Sequence, residues 1–148
     1  MKRMYPDQPV VGIGVVIVCK GKIVLAKRGN EPGKGKWTIP GGLVELGESI
    51  KATVIREAKE ETCLDVVDPQ LIDVVDSVTF DEEKKIKYHY VIADYFVKIK
   101  GGVLKAESDV VELRWVPFDE LDKYVLTISF KDFFRANRVK LEQLDSYS

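Results

Sequence analysis

Glu57, Glu60 and Glu61 crowd three carboxylates into little more than one helical turn. Each helical residue rotates about 100°, from 3.6 residues per turn. Glu57 and Glu61 therefore share a face, and Glu60 flanks it. Like charges placed so closely destabilise a helix. A hard divalent cation removes that cost, because it takes oxygen ligands and bridges protein carboxylates to a substrate phosphate. Such an ion polarises a phosphoryl oxygen and activates water, so the chemistry suggested is hydrolysis at phosphorus. Glu48, in the loop before the helix, reaches the same site from the other side. Arg56 lies on the same turn, and its rigid fork suits a carboxylate. We expect it to orient a glutamate rather than touch substrate. Gly41 and Gly42 precede this segment and allow close backbone approach.

These residues need a rigid support. The spacing predicts a helix from about Ser49 to Thr62, with Ser49 as N-cap and an apolar stripe of Ile50, Val54, Ile55 and Ala58. That stripe would bury the helix against a sheet. Val10 to Cys19 is β-branched and reads as one strand, Lys20-Gly21-Lys22 as a turn, and Ile23 to Arg28 as the returning strand. Gly29 to Lys36 reads as a surface loop. Trp37-Thr38-Ile39 is extended and stops at Pro40. Strands are predicted near 65–78, 86–98 and 111–116, with Asp81 to Lys85 as a solvated turn and Gly101-Gly102 opening a loop to about Asp109. A short helix near 119–124 and a final amphipathic helix from about Ser129 to Leu144 complete the chain, the last with Phe130, Phe133, Phe134, Val139, Leu141 and Leu144 on its apolar side. Strands interleaved with helices imply an α/β fold, a mixed β-sheet between helices.

The 148 residues suit a single domain. A formal net charge of −1 argues for neither a bulk nucleic-acid surface nor a membrane surface. No apolar run is long enough to cross a bilayer. Cys19 and Cys63 form neither a metal spacing nor a disulfide framework. Together with the absence of a signal core behind Lys2 and Arg3, this leads us to expect a cytoplasmic location.

The run Gly42, Glu48, Arg56-Glu57, Glu60-Glu61 and Leu64, at these spacings, closely resembles the signature box of the Nudix hydrolases, which cleave nucleoside diphosphates linked to another moiety. Trp37 to Gly42, Val24 to Arg28 and Arg114-Trp115-Val116-Pro117 resemble the flanks of that family, so most of the chain is covered. The resemblance implies an α/β/α sandwich, Mg²⁺ or Mn²⁺ as cofactor, and Glu57, Glu60, Glu61 and the Gly41 carbonyl as metal ligands. It implies catalytic parts for Glu48, Arg56, Glu57 and Glu60, with Glu60 the first choice for the base and a loop acid the alternative. The chain looks most like compact ADP-ribose pyrophosphatases, which would release AMP and ribose 5-phosphate. The longer enzymes of that kind carry a proline about sixteen residues past the box, where this chain has Val78-Thr79-Phe80-Asp81. A MutT-like enzyme acting on nucleoside triphosphates, oxidised ones included, is therefore the alternative. A non-catalytic nucleotide-binding regulatory module is the alternative of another class, and retention of every box glutamate speaks against it. The partner is a small nucleotide, and the family leaves a homodimer open.

Other positions are weighed individually. Arg28 ends a strand and is either a phosphate contact or an ordinary surface arginine. Gly42 is expected beside the substrate. Glu107 and Asp109, ahead of Glu112, are expected to supply a further acid from the late loop. His89 is read as structural; Tyr88 and Tyr90 either present rings to a base or pack in the core. Cys63 stands where the family has the glycine that ends the helix. Either the helix ends differently here or it tolerates a left-handed cysteine.

Overall fold

In chain order the elements are β1 (Val10–Val16), β2 (Val18–Cys19), β3 (Lys22–Arg28), β4 (Trp37–Thr38), β5 (Gly41–Leu43), α1 (Ile50–Thr62), β6 (Leu64–Phe80), β7 (Ile86–Gly102), β8 (Val110–Pro117), a 3₁₀ turn over Phe118–Lys123 and α2 (Ile128–Ser146). The computed structural model describes residues 2–107 and 110–146. One sheet has the order β5-β1-β7-β6 and is mixed, because β1 runs parallel to β7 and the other neighbours are antiparallel. In the other, β3 pairs with β2, β4 and β8.

Both faces of the central strands are apolar, and each face has its own helix. Ile13, Val15 and Ile17 join Val24, Ala93, Tyr95 and Val97 under Val54 and Ala58 of α1. Val16, Val18, Ile23, Leu25 and Phe96 turn the other way and pack with Phe130, Phe133 and Leu141 of α2. This period-two division produces the expected α/β/α sandwich.

Several boundaries differ from expectation for identifiable reasons. Val10 to Cys19 is not one strand. It divides at Ile17, the first part pairing β7 and β5 and the second pairing β3. The uniform β-branched composition hides this transfer between sheets. β7 continues to Gly102, because Gly101 and Gly102 pair with Asp65 and Leu64 instead of opening a loop. Pro69 is tolerated in β6 because the strand is at a sheet edge and its register shifts between Val67 and Gln70. The stripe on α1 is also corrected. Thr53, Val54, Ala58 and Thr62 are buried, whereas Ile50 and Ile55 are exposed. The two threonines are buried because their hydroxyls are satisfied locally, Thr62 by the Ala58 carbonyl and Thr53 by Glu48 and the Ser49 carbonyl. Val139 of α2 is likewise exposed.

Helix α1 ends at Cys63 in the left-handed conformation, φ 63°, with its N–H donating to the Lys59 carbonyl at 3.1 Å. The helix therefore keeps the usual ending and carries its strain. A non-glycine residue in this conformation costs about 1–2 kcal/mol, partly offset by the larger unfolded-state entropy of glycine. Cys63→Gly is expected to stabilise the protein by about 0.5–1 kcal/mol. Thermal unfolding should show a midpoint higher by about 2–4 °C at the upper end of that range; an unchanged or lower midpoint would contradict this account of the cap.

Candidate active site

The acidic face is assembled by the start of α1. The Ser49 hydroxyl accepts the Ala52 N–H at 3.2 Å and fixes the first turn. The Glu48 carboxylate, just outside the helix, then accepts from the Thr53 hydroxyl at 2.7 Å. It also receives a two-pronged contact from Arg56, Nε to Oε2 at 2.7 Å and an Nη to Oε1 at 2.9 Å. The Arg56 bonds, followed by the Thr53 hydroxyl, hold the Glu48 carboxyl at a pKa of about 2.

The same guanidinium gathers the neighbours. Its other Nη donates to Glu57 Oε1 at 2.7 Å and to Glu60 Oε2 at 3.1 Å, while the first Nη also reaches the Leu43 carbonyl at 3.1 Å. Arg56 thus orients three glutamates rather than one. Their carboxylates in turn push its own pKa upward, Glu48 most of all.

Glu57 is the most enclosed of these acids, its side chain only 12% exposed. It fits because Gly42 has no side chain: a methyl group there would lie 2.2 Å from the Glu57 carboxyl carbon. Burial raises the Glu57 pKa; Arg56 opposes the rise, and the charges of Glu60 and Glu48 add to it. Gly41 is required for a different reason. A methyl group there would meet the Ile13 carbonyl oxygen at 2.1 Å across the β1–β5 pair. The Gly41 N–H donates to Glu61 Oε1 at 2.9 Å. Glu60 is the open member, with its side chain 49% exposed.

Glu57, Glu60, Glu61, Gly41 and Gly42 line a cleft of about 820 Å³, a size that suits a nucleotide-sized ligand. Arg28 lines the same cleft. Its Nε donates to the Pro32 carbonyl at 2.6 Å, and burial lowers its pKa. Tyr90 also faces the cleft, with its hydroxyl accepting from Arg3 Nε at 3.4 Å, while Tyr88 is buried beside it. His89 alternates away from both tyrosines and pairs with Val78 in the ladder.

At Glu107 the late loop comes close to α1 through its backbone. The Glu107 N–H meets the Glu61 carbonyl at 3.3 Å, but the Glu107 carboxylate pairs with Lys105 and is not part of the cleft wall. Asp109 lies outside the described residues. Sequence reasoning missed Asp94, which is 3% exposed on β7 and lines the cleft. Burial, and then the charge of Asp73, raise its pKa to about 7. Its signal in the sequence was a lone acid inside Val91-Ile92-Ala93-Asp94-Tyr95-Phe96-Val97.

The carboxylates fit a divalent ion in kind, since all donors are hard oxygens and a cation would relieve the burial of Glu57. Among the described residues, no three acids converge on one point. Arg56 draws Glu57 and Glu60 together, and Gly41 holds Glu61. Closing on a cation would therefore require Glu60 to exchange its arginine contact.

Comparison with protein families matches residues 8–136 to the NUDIX domain. The ADP-ribose pyrophosphatase of Methanocaldococcus jannaschii is 34% identical over 135 residues, covering 90% of this chain and 77% of that protein. The MutT NUDIX hydrolase of Burkholderia pseudomallei superposes with a TM-score of 0.75 at 31% identity, covering 93% of this chain and 98% of its own. The NUDIX domain of NrtR from Shewanella oneidensis, solved with ADP-ribose, has a TM-score of 0.76 over 92% of this chain and 90% of its own; at 20% identity it shows the shared fold.

A depressed carboxyl pKa stabilises the fold above its unfolded value, and that contribution disappears as pH falls through the folded value. For Glu48 the window runs from the ordinary value of 4.5 down to about 2. Glu48→Gln should therefore be less stable than the parent at pH 7, with the gap narrowing across that window. Denaturant unfolding from pH 7 to pH 2 reads this directly. A gap that stays constant would show that the Glu48–Arg56 pair does not carry the difference.

Proposed function

The chain belongs to the Nudix hydrolase family, and on that premise we propose that it hydrolyses the diphosphate of ADP-ribose to AMP and ribose 5-phosphate, using Mg²⁺ or Mn²⁺. The observation that carries this reading is the wall of Glu57, Glu60 and Glu61 in a nucleotide-sized cleft. The 34% identity to an ADP-ribose pyrophosphatase over 90% of the chain supports the choice of substrate.

Glu57, Glu60 and Glu61, with the Gly41 carbonyl, would hold the cation. Bound there, it neutralises the diphosphate and polarises a phosphoryl oxygen. Glu60, the most exposed of the three, accepts a proton from the attacking water. The new bond joins that water oxygen to one phosphorus. The bridging P–O bond breaks, and its electron pair leaves with the other phosphate. Arg56 keeps Glu57 oriented while Glu60 exchanges its arginine contact, and the Gly41 N–H restrains Glu61. Arg28, at the cleft wall, receives a phosphate oxygen as a charge-assisted hydrogen-bond donor.

A second reading is a MutT-like nucleoside triphosphate pyrophosphohydrolase. The absence of proline from Val78 to Asp81 and the likeness to the MutT hydrolase favour it. Product analysis with ADP-ribose and a panel of nucleoside triphosphates separates the two. We expect AMP and ribose 5-phosphate from ADP-ribose; turnover of triphosphates alone would overturn the substrate assignment.

Glu57→Gln and Glu60→Gln should each lower kcat by about 10²-fold or more. Gly42→Ala should displace the Glu57 carboxylate and weaken Mn²⁺ binding by about 10–100-fold, measurable by calorimetry without turnover. Unchanged activity in both glutamine variants would remove the acidic wall from the mechanism.

A further inference from the structure

The segment ahead of β1 is pinned to the β6–β7 hairpin at one residue. The Tyr5 N–H donates to the Lys87 carbonyl at 2.8 Å, and the Tyr5 hydroxyl donates to Asp81 Oδ2 at 2.8 Å. Asp81 is itself fixed, because its other oxygen accepts the Glu83 and Lys85 N–H groups at 2.9 Å each. Tyr5 takes a left-handed conformation, φ 51°, which costs a non-glycine residue about 1–2 kcal/mol. Such strain persists only where the surroundings over-determine the residue, and it collects at sites that grip a ligand.

This anchor positions Arg3, two residues earlier. Arg3 lines the cleft together with Arg28, and its Nε donates to the Tyr90 hydroxyl on β7 at 3.4 Å. Arg28 belongs to β3 in the other sheet, and its Nε is held by the Pro32 carbonyl. Two guanidiniums therefore reach one cleft, each from a different sheet. Among the described residues, no carboxylate pairs with Arg3. Burial is the main reason the Arg28 pKa is lowered, and the charge of Arg3 adds to the fall against Tyr90, Glu61 and Glu31. An anion between the two cations would remove that repulsion. A merely solvated arginine needs no such anchor: leaving the first residues in water would avoid both the strain at Tyr5 and the repulsion at Arg28.

We propose that Arg3 is a substrate-binding residue that donates, together with Arg28, to the diphosphate of the nucleotide, with Tyr5 as its positioning residue. This rests on the nucleotide reading above and deepens it, by adding a second cation to the group that is cleaved. A guanidinium binds two oxygens of a phosphate at once. The contact with Tyr90 uses Nε and neither terminal nitrogen of Arg3.

The test is equilibrium binding of the methylene-bridged analogue of ADP, which is not hydrolysed between its phosphorus atoms, with adenosine as the ligand that lacks phosphate, both in Mg²⁺. Arg3→Gln should weaken the analogue about 10-fold, the scale of a charge-assisted hydrogen bond, and leave adenosine unchanged. Arg3→Lys should restore part of the loss, and the loss should shrink as salt is raised. Tyr5→Phe should weaken the analogue by a smaller factor and add nothing in the Arg3→Gln background, since a residue that acts through Arg3 has no effect without it. Unchanged affinity for the analogue in Arg3→Gln would overturn the proposal. So would equal weakening of both ligands, which would assign the guanidinium to the nucleoside. A full effect of Tyr5→Phe in the Arg3→Gln background would overturn the part given to Tyr5 and leave it structural. ADP-ribose turnover by the parent is read independently, so failure of the substrate assignment is visible apart from failure at Arg3.

Discussion

The Arg56 guanidinium is the constraint on which the acidic site depends. It binds Glu48 with two nitrogens, shares a third between Glu57 and Glu60, and reaches the Leu43 carbonyl. One planar group therefore joins the end of β5, the loop ahead of the helix and the helix face. Without it, Glu57 would be a charge enclosed beside Gly42 with Glu48 and Glu60 repelling it. Removing one partner of a fully buried ion pair costs about 3–5 kcal/mol. The cost here is smaller, because the Arg56 side chain is 25% exposed and water shares the load. Arg56 thus serves as the internal counter-ion of a site whose acids suit a divalent one.

That arrangement requires a rigid base, supplied by two close approaches. β5 comes so near β1 that only glycine fits at position 41, and the Glu57 carboxylate so near β5 that only glycine leaves room at position 42. Helix α1 is held down by Val54 and Ala58 over Ile13, Val15 and Ile17. The acids therefore sit at the junction of a helix and a strand, both fixed to the same core. Placing a site on packed elements rather than on a loop limits how far its ligands can drift.

How much of this was legible in the sequence follows from how local each feature is. The glutamates, Arg56 and Ser49 fall within one helix and its cap, where spacing alone decides which side chains meet. The α/β/α layering was legible because strands and helices alternate with the right periods. The strand division at Ile17 was not, since pairing partners are distant in sequence and β-branched composition is the same on either side. The burial of Thr53 and Thr62 in place of Ile50 and Ile55 was also hidden, because it depends on which face of α1 meets the sheet and on hydroxyls finding local acceptors. Glu107 was reasonably placed near the site by its loop. Only coordinates show that its backbone approaches Glu61 while its carboxylate turns to Lys105.

Two acids on the cleft wall show how neighbours modify one physical effect. Glu57 and Asp94 are both acids whose pKa values burial raises. At Glu57, Arg56 opposes that rise without cancelling it. At Asp94 no cation among the described residues offsets burial, and the charge of Asp73 adds to the rise, which reaches about 7.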